Sequence, residues 1–302
     1  MAHKVFIDGE AGTTGLQIRD RLQQRSDVEL IQIDPARRKE AGARRDAMAA
    51  ADVAILCLPD GPAKDAVALA EGLDVRFIDA STAHRVDPDW VFGFAELTPD
   101  ARTAIAGAKY LSNPGCYSTG AIALLAPLVK AGLIAPDEAL SINAVSGYTG
   151  GGKELIGEYD RGEAPAAFVY ALAQKHKHLP EIVKYAGLGA RPVFAPSVGN
   201  FAQGMAVQIP LHLNGQRNLD NLRAALAAHY DGQRFISVVD AEARVVPTKL
   251  NDTNRLEISV HGDAENGCAV LVAVLDNLGK GASGAAVQNL NIMLGTDEGL
   301  GL

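Results

Sequence analysis

The chain has 302 residues, 48% hydrophobic and 21% charged, with a formal net charge of −8. That length suits two domains, or one large one, and is ample for a sizeable core. The acidic balance argues against a nucleic-acid partner, whose phosphates call for a surplus of Lys and Arg. No apolar run reaches the roughly eighteen residues of a membrane span, and Met1-Ala2-His3-Lys4 lacks the pattern of a signal peptide. Three cysteines, an odd number without metal-like spacing, fit a reducing cytoplasm with at most one of them in chemistry.

The first hundred residues alternate between short β-rich runs and helical patterns. Lys4–Asp8, Val28–Asp34, Asp52–Leu58 and Val75–Asp79 read as buried strands. Amphipathic stretches such as Thr14–Gln24 lie between them. Strands alternating with helices imply a parallel sheet with right-handed crossovers, a Rossmann-like α/β half. Tyr117–Ala131 reads as an apolar helix that Pro127 should kink or shorten. Strand candidates follow at Ala139–Val145, Met205–Leu213, Phe235–Val239, Leu256–His261 and Ala269–Leu275, with a helix at Leu219–His229. The long insertions between them suggest an α+β second domain with a mostly antiparallel sheet. Gly284–Leu294 reads as a closing helix.

Directly after the first strand stands Gly9-Glu10-Ala11-Gly12-Thr13-Thr14-Gly15. Glycines at a strand-to-helix turn let backbone approach a pyrophosphate, and the helix N-terminus favours its charge. The spacing is GxxGxxG rather than GxGxxG, a weak motif that its position strengthens. Asp34, at the end of the second strand, is where an acid usually holds the ribose of NAD. Arg37 and Arg38 follow at once; they read equally as a clamp for a 2′-phosphate and as a solvated charged turn.

Cys57 and Cys268 read as buried, inert cysteines in strands. Cys116 differs, because Ser112-Asn113-Pro114-Gly115-Cys116 is a turn leading into the apolar helix. A thiol at a helix N-terminus has its thiolate stabilised, and the same N–H groups can hold an oxyanion. Such a nucleophile needs an acid or base. The best candidates are His176 and His178 in Gln174-Lys175-His176-Lys177-His178-Leu179-Pro180-Glu181, with Glu181 orienting one of them. A metal is the weaker reading, since no third ligand is evident and two lysines flank the pair. Arg85, Lys153 and Lys177 are candidate anion binders, or ordinary surface charges. Gly150-Gly151-Gly152 suits close backbone approach to a ligand, or a flexible loop.

Five segments together resemble the N-acetyl-gamma-glutamyl-phosphate reductase family in its short form. They are DGEAGTTGLQI, SNPGCYSTGAIALLAPL, SGYTGGGKELI, HKHLPEI and LDNLGKGASGAAVQNLN, spread over nearly the whole chain. Aspartate-semialdehyde dehydrogenase is a more distant relative. The resemblance implies a Rossmann domain over 1–115, completed by a returning C-terminal helix at 283–302. A glyceraldehyde-3-phosphate-dehydrogenase-like α+β domain for catalysis, substrate and oligomerisation would fill 116–282. It implies reduction of N-acetyl-gamma-glutamyl phosphate to the semialdehyde in arginine biosynthesis, with release of inorganic phosphate. NADP(H) would be the cofactor, which tips Arg37 and Arg38 toward the 2′-phosphate. Ser81 and Thr82 would line the cofactor cleft, Asn277, Gly279 and Lys280 would lie near the nicotinamide, and Asn113 would join the substrate contacts. A homo-dimer or homo-tetramer is implied.

Two departures touch neither the thiol nor the histidines. Ser118 stands where longer members carry Pro, and Lys177 where they tend to carry Arg. They bear on which residue meets the substrate carboxylate or phosphate. Two rival readings remain. A reductase of beta-aspartyl phosphate would carry its histidine after a strand, whereas 194–200 holds Asn200 and no histidine. A non-catalytic NADPH-sensing module would need no activated thiol.

Overall fold

The computed structural model describes residues 2–302. The chain divides into two compact units, residues 1–114 with 282–302, and residues 115–281. The first unit runs β1 (His3–Asp8), α1 (Thr13–Leu22), β2 (Val28–Ile31), α2 (Ala41–Ala50), β3 (Val53–Leu56), α3 (Asp60–Leu69) and β4 (Arg76–Asp79). It continues through β5 (Val91–Phe92), α4 (Ala101–Gly107) and β6 (Tyr110–Ser112). The second unit holds α5 (Cys116–Lys130), β7 (Ser141–Gly147), α6 (Gly152–Asp160), β8 (Ala167–Val169), α7 (Leu179–Ala186), β9 (Val193–Gly199) and β10 (Met205–His212). Then come α8 (Leu219–His229), β11 (Ile236–Val238), β12 (Leu256–Asp263) and β13 (Cys268–Leu275), after which α9 (Gly284–Leu294) belongs to the first unit.

In the first unit six strands lie parallel in the order β2-β1-β3-β4-β6-β5. Both faces are covered, which is why the strands are apolar throughout rather than alternating. Val5, Ile7, Ile55 and Ile78 pack with Ile18, Leu22, Val287 and Leu290 of α1 and α9. Phe6, Ala54, Leu56 and Phe77 pack with Met48, Ala63 and Ala66 of α2 and α3. Strand β2 stops at Ile31, short of Asp34, because its pairing with β1 ends there.

The second unit's sheet has the order β11-β12-β13-β10-β7-β9-β8. Strands β10, β12 and β13 pair antiparallel, as do β10 with β7 and β8 with β9, while β7–β9 and β11–β12 are parallel. One face is apolar, with Ile142, Phe194, Val207, Ile209, Leu271 and Leu275 buried. The other alternates outward, leaving Val193 57% and Val270 36% exposed.

Two sequence expectations are corrected here. Pro127 does not shorten α5, which continues to Lys130. The carbonyl that its missing N–H would have bonded, that of Ala123, accepts instead from the Tyr230 hydroxyl at 2.9 Å. Cys268 is exposed rather than buried: it opens β13 on the outward parity shared with Val270. Cys57 lies just past the end of β3, and burial, reinforced by Asp79 and Asp8, pushes its thiol up to about 12.

Candidate active site

In the first unit the turn after β1 is shaped by backbone. Gly9 has φ +87°, and a Cβ there would strike the Cys57 backbone. A Cβ on Gly15 would lie 2.7 Å from the Glu10 Cα and the Gly9 carbonyl, so this helix residue too has room only for hydrogen. The Gly12 N–H closes the turn on the Gly9 carbonyl at 3.0 Å. Helix α1 then starts at Thr13 and Thr14 with no side-chain cap, leaving its first N–H groups to a ligand. Arg44 of α2 anchors the turn from behind, its Nε and Nη2 donating to Asp8 at 2.9 and 2.6 Å.

At the tip of β2 the charges are engaged locally. Asp34 accepts from the Ala36 N–H at 2.9 Å, and Arg37 pairs with Glu40 at 2.9 Å. Arg38 is exposed. At the end of β4, Asp79 is fully buried and takes three donors: the Ser81 N–H at 2.9 Å, the Ser81 hydroxyl at 2.7 Å and His84 Nδ1 at 2.7 Å. His84 stacks on Trp90 with ring centroids 4.0 Å apart. Thr82 is tied to Asp60 through its N–H and its hydroxyl.

In the second unit Cys116 is the first residue of α5, after Gly115 in extended conformation and again without a side-chain cap. The Gly115 N–H is taken by the buried Glu181 carboxylate at 3.2 Å. This ties the first turn of α7 to the start of the cysteine helix. The next side chain, Tyr117, is the hub of an aromatic cluster. Its ring centroid lies 5.8 Å from His176, 5.9 Å from His178, 6.5 Å from Tyr170 and 5.5 Å from Phe194. His176 and His178 are themselves 4.7 Å apart, edge to face. The Tyr117 hydroxyl donates to the Ser197 carbonyl at 3.1 Å. Burial, with a like-charge contribution from Tyr170 and Cys116, raises the Tyr117 phenol far above its usual range. Burial pushes Tyr170 up to about 12. Both phenols therefore stay protonated at physiological pH.

His176 Nδ1 accepts from the His178 N–H at 3.2 Å, so its own proton sits on Nε2, 3.4 Å from the Tyr170 hydroxyl. Gly281 packs against Cys116: a Cβ there would lie 2.8 Å from Cys116 Cβ. The arrangement is thus a thiol at a helix start with Gly281 packed against it, and two imidazoles on the ring of the next residue, Tyr117. Thiol acyl transfer is the chemistry such a set performs.

Residues 116–277, starting at the cysteine, match the family model described as semialdehyde dehydrogenase, dimerisation domain. Residues 35–105 match semialdehyde dehydrogenase, NAD binding domain. A Brucella suis protein named N-acetyl-gamma-glutamyl-phosphate reductase is 53% identical over 98% of this chain and 100% of its own. One of the same name from Brucella ovis is 52% identical over the same shares. The chain belongs to the N-acetyl-gamma-glutamyl-phosphate reductase family. Aspartate semialdehyde dehydrogenase II from Vibrio cholerae has the same fold, with TM-score 0.72 over 97% of this chain and 98% of that one at 16% identity. The enzyme from Francisella tularensis matches at TM-score 0.72, 14% identity, and 97% and 100% coverage.

Of the residues singled out from sequence in this reductase-family chain, Cys116, His176, His178 and Glu181 fall together in the second unit. The Glu181 carboxylate accepts from the Gly115 N–H and so holds the start of α5. Asn277 is buried, with its amide between the Gly204 N–H at 2.8 Å and the Thr149 hydroxyl at 3.1 Å. Lys280 is buried with its ammonium 5.6 Å from the Phe235 ring centroid. Lys153 and Lys177 are exposed. In the first unit Arg85 is buried and donates to the backbone carbonyls of Asn113 at 3.0 Å and Ala80 at 3.2 Å. The Asn113 side chain bridges the Ala282 carbonyl and the Asn289 amide. No cluster of three or more His, Cys, Asp or Glu suited to a metal occurs among the described residues. No described helix is long and apolar enough to cross a membrane.

Sequence reasoning missed Gly281, Tyr117, Tyr170, and the Asp8–Arg44 and Asp79–His84 pairs. For Gly281 a signal existed in Gly279-Lys280-Gly281-Ala282-Ser283-Gly284, since glycine marks close approach, but not what approaches.

Proposed function

We propose that the chain catalyses NADPH-dependent reductive dephosphorylation of N-acetyl-gamma-glutamyl phosphate to N-acetyl-L-glutamate 5-semialdehyde, through a thioester on Cys116, in arginine biosynthesis. The observation that carries this reading is Cys116 at the start of α5 with both imidazoles packed on the next residue's ring. The near full-length identity to proteins named for that activity supplies the substrate.

The Cys116 thiolate, stabilised by the helix start, attacks the acyl carbonyl carbon. The C–S bond forms as the C–O bond to phosphate breaks, and inorganic phosphate leaves. Backbone N–H groups at the start of α5 hold the carbonyl oxygen while it carries charge. Bound NADPH supplies the hydride. The glycine turn at Gly9, Gly12 and Gly15 fits a dinucleotide pyrophosphate, because side chains at Gly9 and Gly15 would fill the cradle. Thr13 and Thr14 would lie at its phosphates and Ser81 along it. Arg37 and Arg38 would meet the 2′-phosphate, with Arg37 leaving Glu40 to do so. Asn277 and Lys280 would order the nicotinamide side.

A histidine N–H protonates the oxyanion of the reduced adduct. The same imidazole takes the hydroxyl proton back as the C–S bond breaks, releasing aldehyde and thiolate. We assign this role to His178, since His176 Nδ1 is already engaged by the His178 N–H. Glu181 holds α7 against the thiol's helix. Arg85, Asn113, Lys153 and Lys177 are proposed for the substrate's anionic groups. The outward face carrying Val193 and Val270, in the region matched as a dimerisation domain, is proposed as the contact of a homo-dimer or homo-tetramer. The proposed location is the cytoplasm.

The test is the reverse reaction, NADP reduction by N-acetylglutamate semialdehyde with and without phosphate or arsenate. Strict dependence on the anion is expected. Turnover without it would mean a hydrolytic aldehyde dehydrogenase, and turnover only with aspartate semialdehyde would overturn the substrate.

A further inference from the structure

The two histidines lie in a segment with no regular structure, from the end of β8 at Val169 to the start of α7 at Leu179. It turns twice through left-handed backbone at residues with side chains, Ala171 at φ +52° and Gln174 at φ +58°. Such conformations persist only where the surroundings over-determine them. At Gln174 the constraint is visible. Its side-chain Nε2 donates to the Phe194 carbonyl at 2.9 Å, and its Oε1 accepts from the Phe194 N–H at 2.8 Å. Its backbone carbonyl accepts from Arg191 at 2.6 Å, and its N–H closes a turn on Ala171 at 2.9 Å.

The sheet explains why Phe194 has both groups to offer. Strand β9 pairs with β7 on one side along its length, but β8 covers its other side only from Gly199 to Ser197. The Tyr170 N–H extends that pairing to the Pro196 carbonyl at 3.1 Å. At Phe194 the Gln174 carboxamide, which carries the same donor and acceptor as a peptide, stands in for the missing strand. The Phe194 ring in turn is 5.0 Å from the His176 ring and 5.5 Å from that of Tyr117, the residue after the nucleophile.

We infer that Gln174 is a positioning residue for the acid–base histidines, an inference that rests on the thioester reading above. Its two bonds fix both the backbone that leads into His176 and the wall against which His176 packs. Through the His178 N–H bond to His176 Nδ1 they fix His178 as well.

Two variants test it. Gln174→Leu keeps the volume and removes both bonds. Gln174→Glu keeps the bond from the Phe194 N–H and sets a carboxylate oxygen against the Phe194 carbonyl. In the reverse reaction each should lower kcat about tenfold or more, since displacement by about 1 Å can cost ~10²-fold. KM for NADP and phosphate should stay within about twofold. Imidazole 15N spectra should show a single Nε2–H tautomer at His176 in the wild type and lose it in the variants. Folded variants with wild-type kcat and an intact tautomer signature would overturn the inference, leaving a tie that serves stability alone. If Gln174→Leu does not fold, Gln174→Glu decides by the same two readings. A wild type without phosphate-dependent turnover would sink the thioester reading, while the tautomer spectra would still report on the clamp.

Discussion

The two units build their sites from different material. In the first, the turn proposed for the nucleotide is backbone: glycine at positions where a Cβ has no room, and helix N–H groups without a side-chain cap. The nearby ionic groups are engaged locally, Asp34 by its own turn, Arg37 by Glu40 and Asp79 by Ser81 and His84. In the second, the proposed site draws on three distant stretches, Cys116–Tyr117, Tyr170–Glu181 and Asn277–Gly281, held by a sheet edge and a shared helix start. A bound anion needs a concave set of dipoles, which one continuous strand-turn-helix supplies. Acyl transfer needs a thiol, a proton carrier and an oxyanion donor converging at one carbon, which only tertiary structure supplies.

The sharpest way to break this contrast is Cys116→Ser. Turnover should fall by about 10³-fold or more, as loss of a covalent nucleophile does, while NADPH affinity by fluorescence titration is unchanged. Gly9→Ala should do the reverse. It forces a side chain to φ +87° and into the Cys57 backbone. NADPH affinity should weaken by about tenfold or more, a cost of order 1–3 kcal/mol, while the alkylation rate of Cys116 stays as in the wild type. That rate must be measured on a Cys268→Ser background, because Cys268 is exposed and would react as well.

Glu181→Gln against Glu181→Leu sharpens the account of the second unit. The amide oxygen can still accept from the Gly115 N–H, whereas leucine leaves that buried donor unsatisfied, a loss of about 1–3 kcal/mol. Thermal melting should drop clearly for Glu181→Leu and little for Glu181→Gln. A smaller effect concerns Cys57, whose folded thiol is pushed up to about 12 from an ordinary 9.0. Between those values the unfolded chain releases a proton that the folded chain keeps, so stability falls as pH rises through that window. Cys57→Ala should flatten that alkaline slope in urea titrations at stepped pH. The smallest expected change is Glu40→Ala, which releases Arg37 and should tighten NADPH by a few-fold at most, because the Arg37–Glu40 pair is solvent-exposed.

What could be read from the sequence follows the same division. The strands of the first unit are apolar runs separated by helical patterns, and their parallel pairing follows from that alternation. Helix α8 was legible to the residue because Asn218 caps its N-terminus by accepting from the Asn221 N–H. Gly295, left-handed at φ +69°, closes α9 in the same way. The stretch 148–199 resisted. Pro196 argues against a strand, yet it sits in β9 with its missing N–H on the side β8 no longer covers, where its carbonyl takes the Tyr170 N–H. Cys116 and the histidine pair could be proposed from sequence because a turn-to-helix cysteine and a His-x-His-x-x-Glu run are local patterns. Gln174, Tyr117 and Gly281 were not, since their roles depend on which strand edge and which helix start they meet.

The central claim is an acyl group on Cys116. Its most direct test is acid quenching after mixing the enzyme with N-acetyl-gamma-glutamyl phosphate in the absence of NADPH, followed by peptide mass spectrometry. The account predicts an N-acetylglutamyl adduct on the Cys116 peptide that hydroxylamine removes and that Cys116→Ser lacks. Phosphate released without any adduct, or an adduct on Cys57 or Cys268, would contradict it.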